Sequence, residues 1–203
     1  SILLSLSFRD EEMIVIILAG GKATRMGKEK AIIKLGAEKR LIDLVIGAVN
    51  GASKADGFIV AVTKFTPQTA LYCQSMNYRM IETPGYGYHA DLRYLLTRYH
   101  EFISVACDIP FLQSEHIDAL IDFYSEHHNS VSVTGAVPFN MVPDGINPLP
   151  FTYRGQKLVA CGINAVMNSM HSLPLVFHDP LLAINVNTTS DLRVAMRYLY
   201  GYK

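Results

Sequence analysis

Cysteine is scarce in this 203-residue sequence, which contains only three. Cys73, Cys107 and Cys161 lie far apart, and no C-x-x-C pair indicates a zinc site or a disulfide framework. We therefore expect a reducing, cytoplasmic compartment. A chain of this length can bury enough apolar surface to fold without a disulfide or a structural metal. Any bound metal is thus expected to serve function.

The formal net charge is zero, since 18 Lys and Arg residues balance 18 Asp and Glu residues. Nucleic acids and acidic membranes require a sustained basic excess, so neither is an expected partner. The apolar start of the chain is too short to cross a bilayer and has no basic residues of the kind that open a signal peptide. We expect no secretion signal and no membrane anchor.

The overall neutrality hides two oppositely charged regions. Residues 22–40 contain seven basic and two acidic side chains, a local net charge of +5. Residues 99–153 contain seven acids and no Lys or Arg. The basic region is therefore a candidate binding site for a small anion.

Apolar runs alternate with stretches of helical spacing along the chain. Residues 14–18, 58–62, 102–106 and 131–134 predict buried strands, and residues 41–49, 69–76, 90–99 and 114–127 predict helices. Such alternation predicts an α/β fold with a mainly parallel sheet. Because Met13 opens the first strand, we interpret residues 1–12 as an N-terminal extension and residues 13–203 as a single domain.

Proline is concentrated in residues 138–150, which contain four of the nine prolines. This density excludes a central strand or helix and predicts an extended loop or lid. The chain then returns through a strand over residues 157–166. Hydroxyl and acidic side chains at residues 189–191 predict the start of a last helix that runs to about Tyr200.

The strongest functional pattern, L-A-G-G-K-A-T-R-M-G, follows the first strand at residues 18–27. Gly20 and Gly21 would let backbone N–H groups approach a polyphosphate, and Lys22, Arg25 and Lys30 would surround it with positive charge. The pattern is neither a P-loop nor a dinucleotide fingerprint. The alternative is a surface turn with solvated basic residues.

Two further segments carry oxygen ligands. Asp108 follows the strand at residues 102–106, at the sheet edge where ligands bind in open parallel sheets, and could hold Mg²⁺ against phosphates. Asn185 and Asn187 lie in an N-V-N-T-T-S-D-L segment before the last helix. Each segment has a structural alternative, because Asp108 could cap a turn and Asn187 could cap the helix.

The sequence resembles the MobA-like nucleotidyltransferases, whose signature is L-A-G-G-x-G-[ST]-R-M-G-x-x-K. The one departure is Ala23 in place of a glycine, and it bears on the backbone at the centre of the loop, because alanine tolerates positive φ poorly. The resemblance implies a Rossmann-like sheet with helices on both faces and a loop that binds NTP phosphates. It also implies a magnesium aspartate in the C-D-x-P context of Asp108 and a metal or phosphate contact from Asn185 or Asn187.

Two more segments resemble the archaeal GTP:adenosylcobinamide-phosphate guanylyltransferases. They are E-T-P-G-Y-G-Y-H-A-D-L at residues 82–92 and A-C-G-I-N-A-V at residues 160–166. Glycines there would let the backbone pass close to a base or a ribose. The structural alternative for each glycine is an ordinary turn or bulge. Asp91 could accept from guanine or simply favour a helix N-terminus.

The resemblance implies transfer of GMP from GTP to adenosylcobinamide phosphate with release of pyrophosphate. The catalytic candidates are Lys22, Arg25, Lys30 and Asp108. The nucleotide-binding candidates are Leu18, Ala19, Gly20, Gly21, Lys22, Thr24, Arg25, Lys30, Glu82, Thr83, Gly85, Gly87, Asp91 and Gly162, and the metal-binding candidates are Asp108, Asn185 and Asn187.

Base selectivity, the role of residues 1–12 and three further questions stay open at this stage. The acceptor could instead be molybdopterin or a sugar phosphate, and the chain could be a GTP-binding module without catalysis. The oligomeric state is undetermined, and a homodimer is one option.

Overall fold

A computed structural model describes residues 13–127 and 130–201. Its strands are β1 (Val15–Leu18), β2 (Phe58–Val62), β3 (Met80–Glu82), β4 (Glu101–Ala106), β5 (Ser132–Pro138), β6 (Phe151–Tyr153), β7 (Gln156–Met167) and β8 (Ser172–Val176). They form one eight-stranded sheet in the order β3-β2-β1-β4-β7-β5-β8, with β6 paired to β7. The expected N-terminal extension, residues 1–12, lies outside the described residues.

The sheet is mixed but mainly parallel. β3, β2, β1 and β4 run parallel to one another, and β8 runs parallel to β5. β7 runs antiparallel to β4, β5 and β6. The predicted mainly parallel sheet is therefore confirmed, with one long antiparallel strand inserted at its centre.

Helices cover both faces of this sheet. They are α1 (Leu41–Gly51), α2 (Pro67–Ser75), α3 (Tyr88–Leu96), α4 (Ser114–Glu126) and α5 (Thr189–Tyr200). Val15 and Ile17 of β1 share a core cluster with α1 and α4, whereas Ile16 shares another with Leu95 of α3. Val15, Ile16 and Ile17 are all buried, which is the pattern of a strand covered on both sides. Within the described ranges, no helix is long and apolar enough to span a bilayer.

Several element boundaries differ from the predicted ones. α2 begins at Pro67, a residue that suits the first helical position because its missing N–H would have had no partner there. β5 runs on to Pro138, which pairs with Leu158 of β7, so the first proline of the proline-rich segment closes a strand instead of excluding one. The rest of that segment contains one short 3-10 turn, Phe139–Met141, and is otherwise irregular.

The carboxyl ends of the parallel strands meet at one edge of the sheet. Leu18, the last residue of β1, is in register with Ala61 of β2 and Ala106 of β4. The segments that follow these strands therefore lie side by side, although they are separated by about 40 residues each in the chain. This edge is the usual ligand site of open α/β sheets.

Candidate active site

The glycine pair after β1 has two different roles. Gly20 packs against Thr63, whose hydroxyl donates to the Gly20 carbonyl oxygen over 2.7 Å, and a Cβ at Gly20 would lie 2.4 Å from the Thr63 methyl carbon. A Cβ at Gly21 would meet nothing within 4 Å. Gly20 thus allows the close approach of two chain segments, whereas Gly21 exposes backbone to a ligand.

Ala23 does not strain the loop that follows. Among the described residues, the non-glycine positions with positive φ are Asn77 and Arg154, and Ala23 is not one of them. The left-handed position of this loop is Gly27, with φ of +65°. The alanine that replaces the family glycine is therefore accommodated by an ordinary backbone conformation.

Three side chains from distant parts of the sequence meet at the centre of the edge. The Lys30 ammonium donates to Asp108 Oδ2 over 2.8 Å and to Asn187 Oδ1 over 2.7 Å. The Asp108 side chain is 8% exposed and the Lys30 side chain 28% exposed. The predicted basic loop and the predicted carboxylate are thus in direct contact.

Backbone hydrogen bonds fix this cluster. The Val186 N–H donates to the Asp108 carbonyl oxygen over 2.9 Å, which ties the segment before α5 to the end of β4. Asp191 accepts from the backbone N–H groups of Asn187 and Thr188, each over 2.9 Å, and the Thr188 hydroxyl accepts from the Asp191 N–H. Thr188, and not Asn187, therefore caps α5, and the Asn187 amide is directed at Lys30.

The oxygen set around Asp108 fits a hard divalent cation. Asp108 Oδ1 and Asn185 Oδ1 are buried side-chain oxygens without a hydrogen-bond partner in the described chain. Carboxylate and amide oxygens suit Mg²⁺, which is usually held by one or two carboxylates together with substrate phosphates. Residues 13–127 and 130–201 contain no cluster of three or more His, Cys, Asp or Glu that would hold a metal alone.

A cavity of about 780 Å³ opens at this edge, and most of its lining was predicted. The predicted residues in its wall are Leu18, Ala19, Gly20, Gly21, Lys22, Lys30, Thr83, Gly85, Gly87, Asp91 and Asp108. A volume of this order suits a nucleotide-sized ligand.

One wall of this large cavity is a glycine loop that Asp91 holds in shape. Asp91 Oδ1 accepts from the Gly85 N–H over 2.8 Å. Gly85 has φ of +76° and Gly87, which precedes α3, has φ of +111°, so both positions favour glycine. Asp91 therefore has a structural role, and its second oxygen is not used by this bond.

A small basic cavity of about 100 Å³ adjoins the large one. It is formed by the loop after β1 and contains four basic side chains together with Thr24 and Asn187; the basic residues are Lys22, Arg25, Lys28 and Lys30. Lys22 also rests on the ring of Phe65, with 4.4 Å between Nζ and the ring centroid. Charge and size make this the part of the site that suits phosphate groups.

A second cavity, of about 330 Å³, lies beyond the central cluster. Its walls come from residues 145–149 of the proline-rich segment and from the start of α5, with Thr188 and Ser190. Arg25 and Asn187 line both this cavity and the small basic one. The central cluster thus lies between two separate binding spaces.

Two predicted nucleotide-binding residues lie outside these walls. Glu82 ends β3 with an exposed side chain and lines none of the three cavities described above. Gly162, with φ of +89°, faces protein atoms, because a Cβ there would lie 3.1 Å from Ala106 Cβ and 3.3 Å from Asn185 Nδ2. The geometry gives Gly162 a packing role beside the candidate metal ligand Asn185.

Eight residues of the large cavity were not predicted, and four of them carry a charge or an aromatic ring: Lys64, Phe65, Tyr86 and Tyr88. Phe65 and Lys64 follow the carboxyl end of β2, so the same rule that pointed to Asp108 would have found them. Tyr86 is 80% exposed between the two glycines of the wall. Tyr88 is half exposed as a residue, and desolvation of its phenol group raises the pKa of that group.

Burial also makes the site cysteine inert. Cys107 precedes Asp108, and desolvation, followed by the charge of Asp108, raises the pKa of its thiol to about 12. A thiol in that state is not a nucleophile at neutral pH. The site therefore offers charges, amides and backbone groups for positioning a ligand.

Comparison with known proteins assigns the fold and the loop to one family. A model of the MobA-like NTP transferase domain matches residues 15–179. The chain belongs to this family. The family match covers β1, its glycine loop and Asp108, and the prediction of a nucleotidyltransferase is confirmed.

Two relatives have names that describe guanylyl transfer. An adenosylcobinamide-phosphate guanylyltransferase of Methanocaldococcus jannaschii is 34% identical over 194 residues, which cover 90% of this chain and 95% of that protein. A probable molybdenum cofactor guanylyltransferase of Peptoclostridium acidaminophilum is 35% identical over 107 residues, 51% of this chain and 45% of that protein.

Solved structures of nucleotidyltransferases share the fold. A CMP:2-keto-3-deoxy-manno-octonic acid synthetase in complex with CTP superposes with a TM-score of 0.70 at 13% identity, over 94% of this chain and 99% of that one. A 4-diphosphocytidyl-2C-methyl-D-erythritol synthase of Anaerococcus prevotii gives a TM-score of 0.63 at 14% identity, over 93% and 96%. At such identities these likenesses support the Rossmann-like fold alone.

Proposed function

We propose that this MobA-like NTP transferase moves GMP from GTP to adenosylcobinamide phosphate and releases pyrophosphate, with Mg²⁺ as its metal. The observation that carries the proposal is the position of the Lys30, Asp108 and Asn187 cluster between a nucleotide-sized cavity and a second cavity. The acceptor is taken from the M. jannaschii relative, whose similarity spans nearly the whole of both chains.

The nucleoside of GTP occupies the large cavity in this proposal. Gly85 and Gly87 bring backbone close to the base, and Asp91 Oδ2 accepts from guanine N1–H or N2–H₂ while Oδ1 keeps the loop in place. Phe65 and Tyr86 offer ring faces at the wall of the same cavity. A purine would gain contact area with these rings.

The triphosphate extends into the small basic cavity. Lys22 and Arg25 contact the β- and γ-phosphates, and the Gly21 backbone lies open to them. Lys30 neutralises the charge that develops near the α-phosphate. Four basic residues around a space of about 100 Å³ would favour a polyanion and would stabilise pyrophosphate as a leaving group.

The reaction needs no protein nucleophile. An acceptor phosphate oxygen forms a bond to the α-phosphorus of GTP as the bond between that phosphorus and the β-phosphate bridging oxygen breaks. Asp108, with Asn185 or Asn187, would hold Mg²⁺, which supplies Lewis-acid stabilisation of the phosphate charge. The residues of the chain therefore act by positioning two anions and by neutralising their charge.

The acceptor enters the second cavity. Residues 145–149 form one wall, and Arg25 and the N-terminus of α5 offer donors to the acceptor phosphate. Leu149, which lines this cavity, is 92% exposed. An exposed apolar side chain beside polar lining residues suits a phosphate carried by a large, partly apolar group such as a corrinoid.

An acceptor and nucleotide screen tests the proposal. Purified protein is incubated with Mg²⁺, one of GTP, ATP or CTP, and one of adenosylcobinamide phosphate, molybdopterin or a sugar phosphate, and pyrophosphate is measured. We expect release with GTP and the corrinoid phosphate. Release with molybdopterin would favour the second candidate, which the P. acidaminophilum relative supports. Tight GTP binding without release under any acceptor would indicate a non-catalytic module.

A matched pair of variants ties the activity to the site. Asp108→Asn removes the buried carboxylate charge and is expected to lower turnover about a hundredfold or more. Asp122→Asn removes an exposed carboxylate on α4 that pairs with Lys54, and is expected to leave turnover unchanged. Full activity of Asp108→Asn would contradict the assignment.

A further inference from the structure

Lys30 contacts the oxygens that a metal would need. Its ammonium lies 2.8 Å from Asp108 Oδ2 and 2.7 Å from Asn187 Oδ1, two of the three proposed metal ligands. A divalent cation on Asp108 would compete with the ammonium for the carboxylate and would be repelled by its charge at this short range.

The other basic residues of the loop differ from Lys30. Ion pairs among the described residues are Lys30 with Asp108, Lys54 with Asp122, and His116 with Asp179. Lys22 rests on an aromatic ring instead. Lys30 is thus the cation of the phosphate loop that is engaged with the metal carboxylate.

The position of Lys30 also gives it an alternative partner. It lines both the large cavity and the small basic cavity, and its side chain is 28% exposed. A bound polyphosphate would offer the ammonium new anionic oxygens within the reach of a flexible lysine. Without that polyphosphate, a departing ammonium would lose two charge-assisted hydrogen bonds and gain only water.

We propose that Lys30 is a positioning residue that makes metal binding depend on nucleotide binding. Lys30 occupies Asp108 and Asn187 in the nucleotide-free protein, the phosphates draw its ammonium away, and the metal then enters together with the nucleotide. The inference rests on the proposed function only through the proposed metal site. In that state the ammonium bridges the Asp108 and Asn187 oxygens, while backbone hydrogen bonds hold the two segments together.

Manganese binding to nucleotide-free protein tests this dependence. Free Mn²⁺ is measured by electron paramagnetic resonance during titration of wild-type protein, Lys30→Met and Lys39→Met. Lys39 is an exposed lysine of the same basic region, so Lys39→Met controls for the loss of one positive charge. We expect Lys30→Met to bind Mn²⁺ about ten- to a hundredfold more tightly than wild type, and Lys39→Met to resemble wild type.

A second variant guards against loss of folding. Lys30→Gln can still donate from its amide to Asp108 but carries no charge, and we expect at least a threefold tighter Mn²⁺ affinity. Wild type should tighten about tenfold or more when a non-hydrolysable α,β-methylene GTP analogue is added, and Lys30→Met should gain less. A purely structural lysine would instead lower the melting temperature without raising metal affinity.

The outcomes separate this inference from the proposed function. Equal or weaker Mn²⁺ affinity in both Lys30 variants overturns the inference, even if the enzyme turns over. Because the titration uses neither acceptor nor catalysis, absence of pyrophosphate release would overturn the proposed function and leave the inference standing.

Discussion

Adding one methyl group at Gly20 or at Gly21 should separate the packing role of the glycine pair from its binding role. The Gly20→Ala methyl would lie 2.4 Å from the Thr63 methyl carbon, well inside van der Waals contact. The Gly21→Ala methyl would meet no protein atom within 4 Å, at a residue that lines the large cavity. The same substitution at adjacent positions should therefore damage two different properties.

The cost at Gly20 follows from how Thr63 is held. Its hydroxyl donates to the Gly20 carbonyl oxygen and accepts from the Phe65 N–H over 3.2 Å, so rotation away from the new methyl would break both bonds. Loss of each hydrogen bond costs about 1 kcal/mol, and overpacking costs about 1 kcal/mol or more. The lower conformational entropy of the unfolded alanine variant offsets about 0.4–1 kcal/mol of this loss. We expect Gly20→Ala to lower the free energy of unfolding by about 2–3 kcal/mol.

Calorimetry and nucleotide titration measure the two effects. For a chain of this size the loss corresponds to a melting temperature about 4–12 °C lower for Gly20→Ala. Gly21→Ala should melt within a few degrees of wild type but bind GTP about tenfold or more weakly, because Gly21 lines the cavity proposed for the nucleotide. An unchanged melting temperature for Gly20→Ala together with unchanged GTP affinity for Gly21→Ala would refute the assigned roles.

Three further changes test other parts of the account. Gly162→Ala should cost about 1–3 kcal/mol of stability in urea unfolding and lower kcat, because the position has positive φ and its new methyl would press on Asn185. Thr188→Ala should cost about 1 kcal/mol through loss of the α5 N-cap, also seen in urea. Burial raises the pKa values of the cysteines to about 11 or 12, so iodoacetamide at pH 8 should alkylate them only after denaturation, as followed by mass spectrometry. Because these pKa values are raised in the folded protein, the thiols of the unfolded chain lose their protons at a lower pH than those of the folded chain. The free energy of unfolding should therefore fall as pH rises above 9. The thiols are Cys73, Cys107 and Cys161.

Much of the sheet could be predicted because its strands are strongly apolar. The run at residues 14–18 is buried on both faces as expected, and β2 matches its predicted bounds, Phe58–Val62. β8 was not predicted because Ser172–Val176 contains a proline and few buried side chains. An edge strand tolerates both features. The direction of β7 could not be predicted, since residue periodicity is the same in parallel and antiparallel strands.

The site was predictable where one topological rule applies. The loop after β1 and Asp108 after β4 could be placed together because parallel strands end at the same edge. The contact between Lys30 and Asp108, 78 residues apart, could not, because it depends on how the loop folds back over the sheet. The alternative of a bulge at Gly162 agrees with the register shift between β5 and β7 at this point, whereas the alternative of a helix cap at Asn187 does not agree with Thr188 as the N-cap.

Transfer of label from GTP tests directly whether this protein moves GMP to adenosylcobinamide phosphate. Protein, Mg²⁺ and adenosylcobinamide phosphate are incubated with GTP labelled with ³²P at either the α- or the γ-phosphorus, and the corrinoid fraction is separated. We expect the α-label in the corrinoid product and the γ-label in pyrophosphate. Both transfers should require Asp108. Label that stays in GTP, or γ-label in the corrinoid fraction, would contradict it.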